Sequence, residues 1–245
     1  MGTYLLPAEP ITSIDQYLAT DVGGAGVEAA MRLGPAATID AITESGLRGR
    51  GGGGFPTGRK WAGIAAQTGA RRYLVVNGAE GEPGTFKDRA LLRANPYQVV
   101  EGLIVAAFAV GAVEAYVGIK GSFEREIEAF TLAVQEFQTA GICTDCTVNI
   151  VAGPDEYLFG EEKAMLEVIE GKPPLPRWFP PYEHGLFAAS PRRAGRPAPT
   201  GPTDAPTNPT PRWSTTSRPW RTWRRSWSTA PTGSVRWAPR SRPAT

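Results

Sequence analysis

The stretch YLVVNGAEGEPGTFKDR, residues 73–89, decides the fold that we predict for this chain of 245 residues. It opens with the apolar run of a buried strand, residues 73–76, which leads directly into a loop of glycines and carboxylates. The stretch GRGGGGFPTGRKW precedes it, at residues 49–61. Because glycine has no side chain, backbone N–H groups in both stretches can come close to a flat or phosphorylated ligand. Together the two stretches predict a nucleotide or flavin site beside the end of a strand.

Strand and helix patterns alternate along the chain around this stretch. We predict further strands at residues 115–119 and 147–151, and helices at residues 37–44, 60–67, 98–112, 122–141 and 161–170. This alternation favours an α/β fold with a Rossmann-like, mostly parallel sheet and flanking helices. Ligands of such sheets bind at the carboxyl ends of the strands, so the segment 157–162, which follows the third strand, joins the predicted site.

The chain divides into three regions by composition. We predict an irregular N-terminal segment, an α/β domain and a disordered tail, at residues 1–34, 35–189 and 190–245. The tail has no Leu, Ile, Phe or Met, but it holds eleven Arg, eleven Pro and five of the seven Trp. Since it carries a single acid, Asp204, the net charge of +2 for the whole chain combines an acidic body with a basic tail.

Three interpretations of the tail are open. It is a disordered basic linker, a nucleic-acid-binding tail in which Arg contacts phosphates and Trp stacks on bases, or the product of a reading-frame slip. We favour the slip, and place it between Ser190 and Thr207. Trp has a single codon, TGG, and reading onward from the third base of the Pro211 codon permits a sequence with helical periodicity that contains Asn-Asn-Val-Glu-Thr.

Other features exclude several classes of protein. The N-terminus lacks the basic and apolar regions of a signal peptide, and the longest apolar stretch, residues 102–113, is too short to span a bilayer. We therefore expect a cytoplasmic protein without direct membrane insertion. Cys143 and Cys146 are too few for a disulfide framework or a four-thiolate cluster, and His184 is the only histidine. The GRKW sequence at residues 58–61 is not the end of a P-loop.

The motifs match one family. Residues 27–189 resemble the FMN- and NADH-binding flavoprotein subunit of respiratory complex I, a module that also occurs in NAD-linked formate dehydrogenases and NAD-reducing hydrogenases. The resemblance rests on the glycine stretch at 49–61, EPGTFKDR at 82–89, GEE at 160–162 and EGKP at 170–173. The family continues with Asn-Asn-Val-Glu-Thr, which the shifted frame permits. One departure is Ala79, where the family usually has Asp.

The resemblance implies an NADH dehydrogenase subunit that takes hydride from NADH onto FMN. It also implies onward electron transfer to a [4Fe-4S] cluster, whose cysteine ligands are absent from this sequence, and a thioredoxin-like [2Fe-2S] partner subunit, but no nucleic acid. Two other interpretations are kept: a non-catalytic, truncated remnant of such a subunit, and a nucleic-acid binder acting through its basic tail. We expect weak FMN retention, because the Asn-Asn-Val-Glu-Thr stretch that helps to hold FMN in the family is missing.

The resemblance also assigns cofactor-binding residues, while it assigns no catalytic acid or base and no metal ligand. The glycine stretch would hold the isoalloxazine ring and the cofactor phosphates, with Phe55 stacking on adenine and Lys60 supplying charge: Gly49, Arg50, Gly51, Gly52, Gly54, Phe55 and Lys60. Asn77 and Glu80 would hydrogen-bond the flavin, and Glu82 would meet the nicotinamide nucleotide. The other side of the site would be closed by Tyr157, Gly160, Glu161 and Glu162.

Simpler structural roles compete with some of these assignments. Glu161 and Glu162 stand at a predicted helix start, where acidic side chains favour the helix dipole. Lys60 would equally suit an exposed helix surface. For the segment 87–89 we favour a solvated turn or a salt bridge over a role in flavin binding.

Overall fold

The computed structural model describes residues 5–68, 71–143, 145–177 and 186. The described residues form the α-helices α1 (Ile14–Leu18), α2 (Ala25–Leu33), α3 (Pro35–Glu44), α4 (Thr57–Ala65), α5 (Lys87–Ala94), α6 (Pro96–Val110), α7 (Glu124–Thr139) and α8 (Glu162–Ile169). They also form the strands β1 (Tyr73–Gly78), β2 (Glu114–Lys120) and β3 (Thr147–Gly153), and one 3₁₀ helix, Tyr157–Gly160. The predictions for the tail, residues 190–245, lie outside the described residues.

The three strands form one parallel sheet in the order β1–β2–β3. Leu74 of β1 packs against Ala107 and Val110 of α6, whereas the next residue, Val75, packs with Met165 of α8. Because successive side chains of a strand point to opposite faces of the sheet, α6 and α8 cover opposite faces. This arrangement confirms the predicted α/β fold with a parallel sheet and flanking helices.

The longest apolar helix, α6, begins and ends at clear local signals. The Asn95 side chain accepts a hydrogen bond from the amide of Gln98 at 3.1 Å, and Pro96 occupies the first turn. Gly111 ends the helix with a φ of 69°. Neither α6 nor any other helix in the described part of the chain is long and apolar enough to cross a membrane.

The prediction of an irregular N-terminal segment is wrong within the described residues, because α1 and α2 lie there. The residue before α2, Gly24, provides no side-chain cap. The cap comes instead from Glu101 of α6, whose carboxylate accepts hydrogen bonds from the amides of Gly24, Gly26 and Val27 at 2.8, 2.6 and 3.1 Å. A helix start that is stabilised by a carboxylate so distant in the chain leaves no local sequence signal.

The segment 87–89 is the first turn of α5 and not the solvated turn that we favoured. The salt bridge proposed there is present, since Lys87 Nζ lies 2.6 Å from Asp88 Oδ2. Phe86 stands at the N-cap position without a side-chain cap, so the usual sequence signal for a helix start is missing. The amides of Asp88 and Arg89 donate to the Glu80 carboxylate from the preceding loop.

The carboxyl end of the sheet is joined to the 3₁₀ helix and α8 by close packing. Phe159 is fully buried and forms a core cluster with Ala79 and Met165. A Cβ on Gly153 would lie 2.1 Å from the Phe159 ring, and one on Gly118 would lie 2.6 Å from Met165, so both glycines make room for these side chains. The packing places the start of α8 beside the loop that follows β1.

Candidate functional site

Three separate parts of the chain meet at the carboxyl edge of the sheet. They are the glycine loop (residues 49–55), the β1–α5 loop (residues 79–86) and the segment 157–162, which contains the 3₁₀ helix. Lys60, just after the glycine loop, places its Nζ 3.2 Å from Glu162 Oε2. Asn77 Nδ2 donates to the Gly160 carbonyl at 2.7 Å. The structure thus brings together residues that the sequence assigned to one site.

The glycine loop projects from a short antiparallel contact between Arg48 and Pro56. Its base is closed by a hydrogen bond from the Gly49 amide to the Phe55 carbonyl at 2.9 Å. A Cβ added at any residue from 51 to 54 would meet no atom within 4 Å, so the main chain is uncovered on that side. Among the described residues, none accepts a hydrogen bond from the amides of residues 51–53. Exposed, unpaired N–H groups of this kind suit a flat or anionic ligand.

Two glycines of this loop are required by their backbone conformation. Gly52 has a φ of 97° and Gly54 a φ of 57°. L-residues with a side chain adopt positive φ at a cost, particularly beyond the left-handed helical region. Arg50 is exposed in the same loop, and Phe55 is 53% exposed. Both side chains are therefore available to a ligand that lies against the loop.

Asn77, the next-to-last residue of β1, connects two sides of the site. Its Oδ1 accepts a hydrogen bond from the Ala79 amide at 3.2 Å, while its Nδ2 donates to Gly160 as described above. Ala79 is fully buried in the cluster with Phe159, so its methyl group serves the core. The amide of Asn77 thereby fixes the distance between the β1–α5 loop and the start of α8.

Glu80 turns its carboxylate toward α5. The amides of Asp88 and Arg89 donate to it at 2.8 and 3.3 Å, and Arg89 Nε donates at 3.0 Å. The Glu80 side chain is only 1% exposed as a result. In the sequence this residue was predicted to hydrogen-bond the flavin, and that role stays a prediction, since the observed partners of the carboxylate all belong to α5.

Glu82 and Tyr157 face each other across the opening of the site. The Tyr157 hydroxyl donates to Glu82 Oε2 at 2.9 Å, and this hydrogen bond to a carboxylate raises the pKa of Tyr157. Gly81 makes the contact possible, because a Cβ at that position would lie 3.0 Å from the Tyr157 carbonyl oxygen. Tyr157 itself is 59% exposed, so the pair lies at the surface.

The two acidic residues at the start of α8 have different partners. Glu161 caps the helix, with its Oε2 accepting from the Ala164 amide at 2.9 Å. Glu162 pairs with Lys60, and both side chains are more than half exposed. A surface ion pair of this kind contributes at most about 1 kcal/mol to stability. Its value here is as evidence that α4 and α8 approach each other beside the glycine loop.

One buried cluster near the site was not singled out from the sequence. Arg177 is 8% exposed and pairs with both Glu167 and Glu170, and Lys172 Nζ lies 2.7 Å from Glu170 Oε2. These residues belong to the EGKP motif and its surroundings, which supported the resemblance without receiving a role. The cluster fastens the chain that follows α8 back onto that helix.

A metal site has no support in the described part of the chain, where no three His, Cys, Asp or Glu side chains are close enough to hold an ion. Burial raises the pKa of the Cys143 thiol to about 11 and that of the Cys146 thiol to about 12. Both thiols are therefore protonated at neutral pH, whereas metal ligation requires thiolates.

Glu80 should give the protein a pH-dependent stability that a variant can isolate. Burial alone would raise the pKa of its carboxyl, but the hydrogen bonds from Asp88 and Arg89 outweigh burial and hold the pKa below the ordinary 4.5. A carboxyl of this kind adds stability above its unfolded pKa, and the added stability is lost as the pH falls through the folded pKa.

We therefore expect Glu80→Gln to have a lower free energy of unfolding than the unaltered chain at about pH 7, and the difference to shrink as the pH falls below 4.5. Urea unfolding of the two chains over a series of pH values measures this difference. A difference that does not change with pH would show that the Glu80 charge has no part in folding.

The fold and the site together define an α/β protein with a cofactor site at the carboxyl edge of a parallel sheet. An open glycine main chain, a nearby cation and polar side chains on the opposite wall fit a flat, anionic cofactor. The chain belongs to the family of Nuo51 FMN-binding domains, which matches residues 42–190. This match confirms the resemblance that the motifs indicated, and it confirms FMN as the predicted cofactor of the family.

Relatives with this module are longer proteins, and each is a subunit of an NADH-quinone oxidoreductase. The chain is 39% identical over 187 residues to the relative from Aquifex aeolicus (strain VF5), a match that covers 72% of this chain and 43% of the relative. It is 44% identical over 156 residues to the relative from Rhodobacter capsulatus, covering 60% of this chain and 36% of the relative. The chain thus spans less than half the length of these relatives.

A solved structure of similar fold is the NAD+-reducing [NiFe]-hydrogenase in the air-oxidized state. Its TM-score is 0.64 at 36% sequence identity, and the match covers 73% of this chain and 31% of the hydrogenase chain. The level of identity supports shared ancestry as well as a shared fold.

Proposed function

We propose that this chain binds FMN between the glycine loop and the segment 157–162, and that the bound cofactor takes hydride from NADH. The single observation that carries the proposal is the meeting of the three predicted parts of the site, joined by the Lys60–Glu162 and Asn77–Gly160 contacts. The relatives are named as NADH-quinone oxidoreductase subunits and as an NAD+-reducing hydrogenase, which supports NADH as the substrate.

The protein's own part in this reaction is positioning. FMN, when bound, accepts a hydride and passes electrons on one at a time. The uncovered main chain of residues 51–54 offers a surface on which a flat ring can lie, with Lys60 available to a negative group. Hydride transfer requires two rings held flat against each other, and a rigid wall at Asn77 and Gly160 restricts the cofactor to one orientation.

The Glu82–Tyr157 pair is the proposed boundary on the NADH side. It closes the opening between the β1–α5 loop and the 3₁₀ helix in the structure, so a nucleotide that enters there must contact or separate these side chains. Because the pKa of Tyr157 is raised, its hydroxyl keeps its proton and remains a hydrogen-bond donor.

In the full-length relatives we propose that electrons then pass to a [4Fe-4S] cluster and a [2Fe-2S] partner subunit. The support for this step is that the relatives are named as subunits of NADH-oxidizing complexes. The step is not assigned to the described residues, because no cluster of metal-binding side chains is found among them.

A second candidate is a non-catalytic remnant of such a subunit, which the composition of residues 190–245 favours. The test compares the chain as it stands with a chain whose frame is restored by one base between the codons of Ser190 and Thr207. We expect the unaltered chain to bind added FMN weakly, and the restored chain to retain FMN on purification and to reduce ferricyanide with NADH.

The spectrum and the turnover distinguish the two candidates. A yellow restored chain that turns over NADH beside a weakly binding original supports both the site and the frame slip. A restored chain that stays colourless with added FMN would overturn the proposed site. An unaltered chain that already holds FMN in equal amounts would show that the Asn-Asn-Val-Glu-Thr stretch is dispensable.

A further inference from the structure

The backbone of the β1–α5 loop is strained at one residue. Among the described residues, Glu80 is the only one other than glycine with a positive φ, of 30°. Such a conformation is unfavourable for an L-residue and persists only where the surroundings hold it in place. Glu80 lies two residues after β1 and two residues before Glu82, so its conformation sets the direction of the loop that faces the proposed site.

Arg89 of α5 holds this loop at two points. Its Nε donates to Glu80 Oε2 at 3.0 Å near the beginning of the loop, and a terminal nitrogen of the same guanidinium donates to the Thr85 carbonyl at 3.1 Å near its end. The guanidinium also lies 5.0 Å from the centre of the Phe123 ring, which limits the positions open to it. A planar group with several donors is needed to reach both ends of the loop at once.

We propose that Arg89 is a positioning residue for the cofactor site, which acts by holding the β1–α5 loop in its strained conformation. The proposal rests on the proposed function, because the cofactor is taken to be FMN. The loop held by Arg89 carries Glu82, and its Gly81 fits closely against Tyr157. Releasing the loop would disturb this wall of the site, while the sheet and its covering helices would be left in place.

The chain provides a matched control on the same helix. Arg93, one turn after Arg89, pairs through its Nε with the carboxylate of Glu126 in α7, whose side chain is 2% exposed. Arg89→Gln and Arg93→Gln therefore each remove a guanidinium from a buried carboxylate and should both destabilise the fold. They differ in that Arg89 contacts the β1–α5 loop and Arg93 contacts α7.

The experiment titrates FMN into the full chain and follows the quenching of flavin fluorescence. We expect Arg89→Gln to bind FMN about tenfold more weakly, as is typical for the loss of a charged hydrogen-bond donor, while Arg93→Gln stays within about twofold of the unaltered chain. Arg89→Lys should fall between them, because its charge remains while the two-point contact is lost.

Amide hydrogen exchange of residues 80–89 provides a readout that needs no flavin. We expect faster exchange in this segment for Arg89→Gln and unchanged exchange for Arg93→Gln, since the Asp88 and Arg89 amides depend on a fixed Glu80. If Arg89→Gln does not fold, Glu80→Gln tests the same contact from the other side and should give the same result.

The outcomes separate the positioning role from the proposed function. Equal losses of FMN affinity in Arg89→Gln and Arg93→Gln, or unchanged exchange of residues 80–89 in Arg89→Gln, would overturn the positioning role. If the unaltered chain takes up no FMN at any concentration, the proposed function fails, and the exchange measurement still decides whether Arg89 holds the loop.

Discussion

Gly58→Ala is expected to lower the free energy of unfolding by about 3 kcal/mol or more, at the upper end of what overpacking costs. A Cβ at this position would lie 2.1 Å from Thr43 Oγ1 and 2.7 Å from both the Thr43 Cα and its amide nitrogen. The hydroxyl can rotate away, but the Thr43 main chain belongs to α3 and cannot yield unless the two helices separate.

The separation of α3 from α4 should also weaken the site. Lys60 lies two residues after Gly58 on α4, and its Nζ is within 3.2 Å of Glu162. A shift of α4 by even a fraction of this distance removes Lys60 from its place beside the glycine loop. We therefore expect FMN affinity to fall together with stability, even where the variant is still folded.

Gly63→Ala is the matched control for this prediction. It lies on the same helix, and a Cβ there would meet nothing within 4 Å. Alanine is favoured over glycine inside a helix by about 1 kcal/mol, so this variant should be as stable as the unaltered chain or more so. Urea unfolding of the three chains measures the effect. Equal stability of Gly58→Ala and Gly63→Ala would mean that α3 and α4 do not touch as described.

The sheet and most helices could be predicted because their signals are local. The run from Tyr73 to Val76 indicates β1 by its apolar residues alone, and Pro96 indicates the first turn of α6. α2 and α5 were missed because their N-terminal caps are carboxylates from elsewhere in the fold, Glu101 and Glu80. Neither Gly24 nor Phe86, which precede these helices, shows a capping signal.

For the site, the sequence indicated which residues come together but not which way each side chain turns. Lys60, Asn77, Gly160 and Glu162 do converge, because loops at the carboxyl ends of parallel strands share one edge. The orientation of Glu80 toward α5 depends on a positive φ that glutamate rarely adopts, so no propensity indicates it. The assignments of individual cofactor contacts stay predictions.

Gly52→Ala is expected to weaken FMN binding by about 100-fold, through a backbone strain of about 1–3 kcal/mol and a new methyl group on the open face of the glycine loop. Gly52 has a φ of 97°, which lies outside the region that L-residues tolerate. An alanine there must change the loop conformation, and the amides of residues 51–53 would then point in different directions. Since the loop is exposed and meets no neighbour, the free energy of unfolding should change little.

Gly53→Ala separates the effect of backbone conformation from that of added bulk. Gly53 does not have a positive φ, and a Cβ on it would also meet no atom within 4 Å, so alanine adds a methyl group without strain. Fluorescence titration of FMN should show a smaller loss for Gly53→Ala than for Gly52→Ala, because only the latter reorients the amides. Equal, large losses would mean that the ring touches both residues and that bulk dominates. Unchanged affinity in Gly52→Ala would mean that the main chain of this loop does not hold the cofactor, and the site would have to be sought at the β1–α5 loop alone.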